Sequence, residues 1–222
     1  MHFFQMKGAW TGPMVFLYER IIAARIGELY DQLAEFFFSD LPAGCRVLDL
    51  GCGSGPVSVR VAQANPTARI TGVDLSLDQI HNAKQRARGL ANTTFERGDA
   101  MNLAYPEGHF DIALSVASIK HWPDGVHGLA EMRRVCKTGG LVYVLEVHKD
   151  STKLEARDFI SRWKFSLPGT RSFTTWYFRR FIGGQGLSQG ELLDLMKAAG
   201  FAEIYVQSIP SQPFIVALGI KS

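Results

Sequence analysis

The most constraining feature of the sequence is a short apolar run that leads directly into three closely spaced glycines. Residues 47–55 read Val-Leu-Asp-Leu-Gly-Cys-Gly-Ser-Gly, and apolar residues then recur with helical spacing at Val57, Val61 and Ala64. A strand, a glycine-rich turn and a helix let the backbone approach a ligand closely at the carboxyl edge of a sheet. The segment therefore predicts a strand–turn–helix unit with a ligand site at the turn.

Strand and helix patterns alternate along the rest of the chain. Apolar runs predict strands at 46–50, 69–74, 93–97, 110–116, 141–147, 201–206 and 214–220. Helical patterns separate them, and Ser76 with Gln79 and Ser188 with Glu191 have the spacing of capping boxes. This order predicts a doubly wound α/β fold with a mostly parallel, seven-stranded sheet. The last two runs are joined by so short a turn that the last strand must be antiparallel.

Two stretches fall outside this alternation. Residues 1–40 show helical apolar spacing and predict an N-terminal helical segment of a single domain that spans residues 1–222. Residues 148–187 are too long for a plain connection and carry eight aromatics within 159–181. We interpret this insert as a cap over the ligand site, because it leaves the sheet at the carboxyl edge. Packing of an added helical layer explains the aromatics about as well.

Composition excludes several classes of protein. The net charge is +3 and the basic residues are scattered, so we expect no nucleic-acid partner. The three cysteines match neither a disulfide framework nor a zinc spacing, and we expect no metal and a reducing, cytoplasmic location. No apolar run is long enough to span a bilayer, and the first residues lack the pattern of a signal peptide.

Acidic residues stand at the ends of three successive predicted strands. Asp49 lies two residues before the first glycine, where a dinucleotide site normally has an apolar residue, and Pro56 occupies the place of the third glycine of that motif. Asp74 is placed to accept hydrogen bonds from both hydroxyls of a ribose. Asp99 is placed to accept from an exocyclic amine such as that of adenine. These carboxylates favour a cationic adenosine cofactor that has no pyrophosphate.

Together these motifs are similar to those of class I S-adenosylmethionine-dependent methyltransferases. The likeness rests on residues 47–55, 73–76, 98–100, 108–111 and 139–140, which follow in matching order over roughly residues 41–147. It is weaker through the last helix and hairpin. The segment Lys-His-Trp-Pro-Asp at 120–124 resembles the small-molecule branch around the ubiquinone and menaquinone biosynthesis methyltransferases, in which another residue usually stands at position 120.

The resemblance implies that S-adenosyl-L-methionine is the cofactor and S-adenosyl-L-homocysteine the product. The implied contacts are Asp49, Gly51 and Gly53 for the methionine moiety, Asp74, Leu75 and Gln79 for the ribose, Asp99 and Ala100 for the adenine, and Ser115 for the sulfonium end. Each of the three aspartates has a structural alternative. Asp49 and Asp74 could each cap a helix, and Asp99 could belong to a turn, because aspartate is common at both kinds of position.

Residues for the acceptor side are predicted less directly. His121 follows the fourth strand and His148 the fifth, and either is a candidate acid or base because histidine titrates near neutrality. Ordering of a loop is the alternative for both, and Lys120 is predicted to be solvated. The candidate acceptor-binding residues are Trp10, Tyr18, Trp176 and Tyr177, with core or dimer packing as their alternative.

The predicted reaction is an in-line transfer of a methyl group to oxygen, nitrogen or carbon of a small organic molecule. No acidic cluster marks a metal site after the fourth strand, where the sequence reads Ser-Val-Ala-Ser at 115–118. Two other functions stay open at this point, a nicotinamide-dependent oxidoreductase and a non-catalytic protein that binds S-adenosylmethionine. A homodimer is a further open alternative.

Overall fold

The structure is a computed structural model that describes residues 41–161 and 185–222, together with Asp31, Thr175, Trp176 and Phe178. The strands are β1 (Arg46–Leu50), β2 (Arg69–Asp74), β3 (Thr93–Arg97), β4 (Phe110–Val116), β5 (Cys136–Val147), β6 (Glu203–Ser208) and β7 (Phe214–Ile220). The helices are α1 (Pro56–Ala64), α2 (Leu77–Arg86), α3 (Gly125–Val135), α4 (Lys153–Ser161) and α5 (Gln189–Ala198), and a 3-10 turn covers Ile119–His121. Trp10, Tyr18 and Tyr177 lie outside the described residues.

The strands form one sheet in the order β3-β2-β1-β4-β5-β7-β6. Every neighbouring pair is parallel except those of β7, which runs antiparallel to both β5 and β6. The predicted α/β fold, with a mostly parallel seven-stranded sheet and an antiparallel last strand, is confirmed. The strand order reverses between β1 and β4, and ligands of such sheets bind in the crevice at this reversal. The glycine turn that follows β1 lies there.

Both faces of the sheet are covered, which explains why its strands are apolar without a regular alternation. On β1, Val47 packs into the core that α1 and α4 cover, together with Val57 and Ile160. Leu48 faces the opposite core, where Leu129 of α3 is also buried. Each fully buried aliphatic side chain of this kind contributes about 1.5–3 kcal/mol to folding, so the two layers hold the ends of the strands in place.

The capping signals are formed to different extents. The Ser188 and Glu191 side chains exchange hydrogen bonds with each other's backbone N–H, and Gly200 ends the following turn with φ 91°. The Ser76 hydroxyl accepts from the Gln79 N–H at 3.3 Å, but the Gln79 side chain does not return a bond. The capping box of α5 is therefore complete, whereas the one of α2 lacks the bond from the Gln79 side chain.

Two strands differ from the prediction, β5 at its start and β6, which covers Glu203–Ser208 instead of residues 201–206, at both ends. β5 begins at Cys136 rather than at residue 141, because Gly139 N–H donates to Lys221 O at 2.7 Å and Lys221 N–H donates to Gly140 O at 3.0 Å. These bonds come from a segment distant in sequence. β6 begins at Glu203 rather than at residue 201, because Phe201 is buried against α5 and its N–H donates to Met196 O.

The described parts of residues 148–187 form a layer on the sheet. Phe159 of α4 packs edge-on against Phe214 of β7, with ring centroids 5.0 Å apart, and lies 5.5 Å from the ring of Phe178. For these two aromatics of the insert, the added helical layer is the correct alternative. The ends of the insert meet at the carboxyl end of β5, where Leu187 N–H donates to Val147 O at 3.0 Å. The cap stays a prediction for the rest of the insert.

Candidate functional site

The turn after β1 needs glycine for its backbone. Gly51, Gly53 and Gly55 have φ values of 75°, 53° and 72°, in the left-handed region that glycine occupies at no cost. Gly51 N–H and Cys52 N–H both donate to Val73 O, at 2.8 and 3.1 Å, which fixes the turn to the end of β2. The turn therefore lies directly beside Asp74, the last residue of that strand.

Gly51 and Gly53 require the absence of a side chain for different reasons. A Cβ atom at Gly51 would lie 1.9 Å from Ser118 Oγ and 2.6 Å from Ser118 Cβ. A Cβ atom at Gly53 would meet only the far end of Gln79, at 3.9 Å. Gly51 is thus packed against Ser118, whereas Gly53 leaves open space at the edge where a ligand would approach.

Asp74 is held by the glycine turn and by the start of α2. One carboxylate oxygen accepts from Gly53 N–H at 3.0 Å, and the other accepts from Ser76 N–H at 2.8 Å. Burial raises the pKa of Asp74, while these two N–H groups oppose the rise. Asp74 therefore orders the start of α2, which was its structural alternative. This does not prevent the predicted binding of a ribose, because each carboxylate oxygen retains a further lone pair.

Asp49 lies beneath the turn and is 2% exposed. Its Oδ2 accepts from the Ser58 hydroxyl on α1 at 2.5 Å. Burial raises the pKa of Asp49 to about 7; the Ser58 hydrogen bond opposes this, and the nearby Asp74 adds to it. A nearby cation would restore the ionised form, which agrees with the sequence argument for a positively charged ligand.

The predicted adenine side is more open. Asp99 is exposed, and its Oδ1 accepts from Met101 N–H at 2.9 Å, so it also makes the turn that was its structural alternative. Ala100 is partly buried against the core. Leu75, next to Asp74, is 38% exposed. A planar ligand seated between Leu75 and Asp99 would cover it.

Three buried polar atoms in or near the turn have no hydrogen-bond partner. They are Ser54 Oγ in the turn itself, Ser115 Oγ at the carboxyl end of β4, and Gln79 Oε1, which faces Gly53. Buried polar atoms in native proteins are nearly always paired, so an unpaired one needs an explanation. An amino-acid nucleoside bound over Gly53 would offer hydrogen-bond donors to Gln79 Oε1, and Asp74 lies beside the same turn, so these residues fit S-adenosylmethionine.

The loop after β4 forms the next wall of the site. Ala117 has φ 53°, a strained value for a residue with a side chain, and its N–H donates to Leu145 O at 2.7 Å. Ser118 contacts the position of Gly51 and accepts from Trp122 Nε1 at 3.0 Å. His121, half-buried, ends the 3-10 turn, and its N–H donates to Ser118 O at 2.9 Å. The predicted acid or base thus lies in the loop that touches the glycine turn.

A buried carboxylate that the sequence analysis did not single out holds this loop. Glu146 of β5 is fully buried, and its Oε1 accepts from Ile119 N–H at 2.9 Å. Its Oε2 lies 4.0 Å from Lys120 Nζ, and the Lys120 side chain is only 13% exposed. The prediction that Lys120 is solvated is wrong, because the buried carboxylate draws its ammonium inward. The available signal was one acidic residue inside an otherwise apolar strand.

The other predicted acceptor residues lie further along the chain. His148 is half-buried just beyond β5, and its N–H donates to Pro213 O at 2.9 Å. The Trp176 side chain is 55% exposed. Among the described residues, no group of three His, Cys, Asp or Glu side chains is arranged to hold a metal ion. In the same part of the chain, no helix is both long and apolar enough to cross a membrane.

Comparisons with known proteins agree with this site. Residues 47–140 match a family model described as a methyltransferase domain. The demethylmenaquinone methyltransferase of Staphylococcus aureus is 27% identical over 186 residues, which cover 80% of this chain and 76% of that protein. The matched segment of the family model contains the glycine turn, the three aspartates and the loop after β4.

Solved structures share the fold. An S-adenosylmethionine-dependent methyltransferase from Thermotoga maritima has a TM-score of 0.66 and 24% identity, covering 94% of this chain and 96% of that one. The [4+2]-cyclase SpnF has a TM-score of 0.63 and 32% identity, covering 84% of this chain and 62% of that one. These relatives agree with the strand order of the sheet, with the matched domain and with the glycine turn that lies beside Asp49 and Asp74. The protein is an S-adenosylmethionine-dependent methyltransferase with the class I fold, and it is similar to the menaquinone methyltransferases.

Proposed function

We propose that the acceptor of this methyltransferase is a small hydroxylated ring of the quinol or phenol type, methylated on carbon or oxygen. The observation that carries this proposal is the similarity to demethylmenaquinone methyltransferase over 80% of the chain. The match to a methyltransferase domain over residues 47–140 argues against the nicotinamide-dependent oxidoreductase. Methylation on nitrogen is the remaining outcome of the same assay.

The residues of the chain contribute mainly by binding and orientation. S-adenosylmethionine supplies a methyl group that is already activated on a sulfonium. Asp49 and Asp74 provide negative charge for its cationic end and acceptors for its ribose, and Ser115 lies beneath the reacting end. Holding two reactants in line and excluding water supplies most of the acceleration in such a transfer. An acid or base is needed only to remove a proton from the acceptor, and His121 is the residue we propose for it.

We propose that the rest of residues 148–187 and the N-terminal segment 1–40 enclose the acceptor. The support is positional, because the two ends of the insert meet beside β5 at the same edge as the glycine turn. Trp176 is exposed and has a large apolar surface, and we propose that it lines the acceptor site together with Trp10, Tyr18 and Tyr177. Trp176→Ala should raise the KM for the acceptor at least fivefold and leave binding of S-adenosylhomocysteine within twofold. Tyr205→Ala, on the exposed edge strand β6, is the matched control and should change neither.

The decisive experiment is a transfer assay with methyl-labelled S-adenosylmethionine and three acceptors: a naphthoquinol, a catechol and a primary amine. We expect label in the quinol or catechol product, and mass spectrometry of that product distinguishes carbon from oxygen. Label in the amine alone would refute the hydroxylated-ring proposal. His121→Ala should lower kcat with little change in KM if this side chain handles the proton.

A second candidate function follows from SpnF, which is named for a ring-forming reaction and is 32% identical to this chain. In this reading, the fold binds S-adenosylmethionine and the cleft assists a reaction that consumes no methyl group. Tight binding of S-adenosylhomocysteine, with no label transferred to any acceptor class, would favour this second candidate.

We also propose a cytoplasmic location and the absence of a nucleic-acid partner. The described cysteines Cys45, Cys52 and Cys136 are free and buried, as expected in a reducing compartment. Homodimerisation stays a prediction, and sedimentation at micromolar concentration tests it.

A further inference from the structure

Among the ion pairs between described residues, Glu146 with Lys120 is the one in which both side chains are largely buried. Glu146 is 0% exposed and Lys120 is 13% exposed, with Oε2 and Nζ 4.0 Å apart. Burying two charges is costly, and such pairs are commonly no more stabilising than apolar residues of the same size. Oε2 also lacks a hydrogen-bond partner. Fold stability is therefore a weak reason for this pair to be present.

The pair is in contact with the cofactor turn through a short chain of residues. Glu146 Oε1 accepts from Ile119 N–H, and the preceding residue, Ser118, fills the space above Gly51. Ser118 is fixed from the other side by Trp122 Nε1 at 3.0 Å. The Glu146 carboxylate thus holds in place the loop whose Ser118 packs against Gly51 of the glycine turn.

The charge of the pair matters because the cofactor is a cation at its reacting end. Lys120 follows Ser118 by two residues in the loop after β4, and Ser118 meets the position of Gly51. An uncompensated ammonium in this loop would repel a sulfonium bound at the glycine turn. S-adenosylhomocysteine has a neutral thioether at the same atom. A charge at this wall therefore acts differently on the two molecules, although they have nearly the same shape.

We propose that Glu146 is a positioning residue for the cofactor, which holds the loop after β4 against Gly51 and neutralises Lys120 so that the cleft accepts a sulfonium. Glu146 does not touch the reacting atoms in this proposal. Its carboxylate acts through Ile119 on the shape of the wall and through Lys120 on the charge of the wall.

Binding of the two cofactor forms tests the proposal without any acceptor. Glu146→Gln keeps an oxygen for Ile119 N–H and removes the negative charge. At an effective dielectric constant of about 20, an uncompensated unit charge in the wall of the cleft changes the binding of a charged ligand, relative to a neutral one, on the order of tenfold. We expect calorimetry to show S-adenosylmethionine binding weakened on the order of tenfold, with S-adenosylhomocysteine binding within about twofold of the wild type.

The double variant Glu146→Gln/Lys120→Met removes both charges and should restore the ratio of the two dissociation constants to within about twofold of the wild-type ratio. Glu107→Gln is the matched control, because Glu107 pairs with Lys221 near the amino end of β4 and its loss changes the net charge equally. It should leave the ratio unchanged.

Equal weakening of both molecules by Glu146→Gln, or no restoration in the double variant, would overturn the proposal and leave a purely structural role. If Glu146→Gln does not fold, Lys120→Met alone decides the matter. Removing the ammonium must not lower the preference for S-adenosylmethionine over S-adenosylhomocysteine, and a lowered preference refutes the proposal.

Discussion

Replacement of Gly51 by alanine should destabilise the fold, whereas the same change at Gly53 should act mainly on cofactor binding. A left-handed backbone costs a residue with a Cβ about 1–2 kcal/mol, and both positions incur this cost, with φ 75° and 53°. Only Gly51→Ala adds a clash, at 1.9 Å from Ser118 Oγ. Overpacking of this kind costs about 1–3 kcal/mol. We expect a loss of about 2–5 kcal/mol for Gly51→Ala and about 1–2 kcal/mol for Gly53→Ala.

Urea denaturation measures the free energy of unfolding of both variants, and Ser118→Gly completes a double-mutant cycle. Gly51→Ala/Ser118→Gly should recover the clash component of about 1–3 kcal/mol, because the atoms that a new Cβ meets are then absent. Gly53→Val should remain folded and lose S-adenosylhomocysteine binding. Equal destabilisation at the two glycines, or a cycle without coupling, would show that Ser118 does not limit Gly51.

Three further predictions concern ionisable groups. Because burial raises the pKa of Asp49 to about 7, and a cationic ligand favours its ionised form, S-adenosylmethionine affinity should increase as the pH rises through about 7; Asp49→Asn should flatten this dependence in calorimetry, and a flat wild-type profile would contradict the assignment. Asp74→Ala should weaken S-adenosylhomocysteine binding by about 2–3 kcal/mol, since hydrogen bonds to a charged group are strong; a dissociation constant within twofold of the wild type refutes the ribose contact. Lys221→Met should lower the free energy of unfolding by about 1–3 kcal/mol, because the ammonium, 6% exposed, donates to two backbone carbonyls and to Glu107; a loss below about 0.5 kcal/mol would contradict this.

The fold could be predicted where local signals and burial agree. β1, β2, β3, β4 and β7 begin and end as their apolar runs predict. The start of β5 could not be predicted, because Lys-Thr-Gly-Gly at 137–140 has the composition of a turn. This segment becomes a strand only through backbone hydrogen bonds to Lys221, which is distant in sequence. The start of β6 could not be predicted for a similar reason. The apolar side chain of Phe201 packs against α5 and does not belong to the strand that follows.

The placement of the glycine turn beside Asp74 was predictable, since each lies directly at the end of the strand that places it. The acceptor end was less so. Whether Lys120 is solvated depends on Glu146, which approaches it from another strand 26 residues later. Phe159 and Phe178 show the same difficulty, because aromatic content alone does not distinguish a lining of a cleft from a layer on the sheet.

The position of β7 has a consequence for how the chain reaches its native state. β7 follows β6 in sequence, yet it lies between β5 and β6 in the sheet. β6 therefore has no neighbour to pair with until Phe214–Ile220 have left the ribosome and aligned against β5. Pairings that must wait for distant residues slow folding and leave apolar strand surface exposed in the meantime. During synthesis, the nascent chain should carry a five-stranded sheet with an open β5 edge, and its last hairpin should close that edge after translation of residue 220.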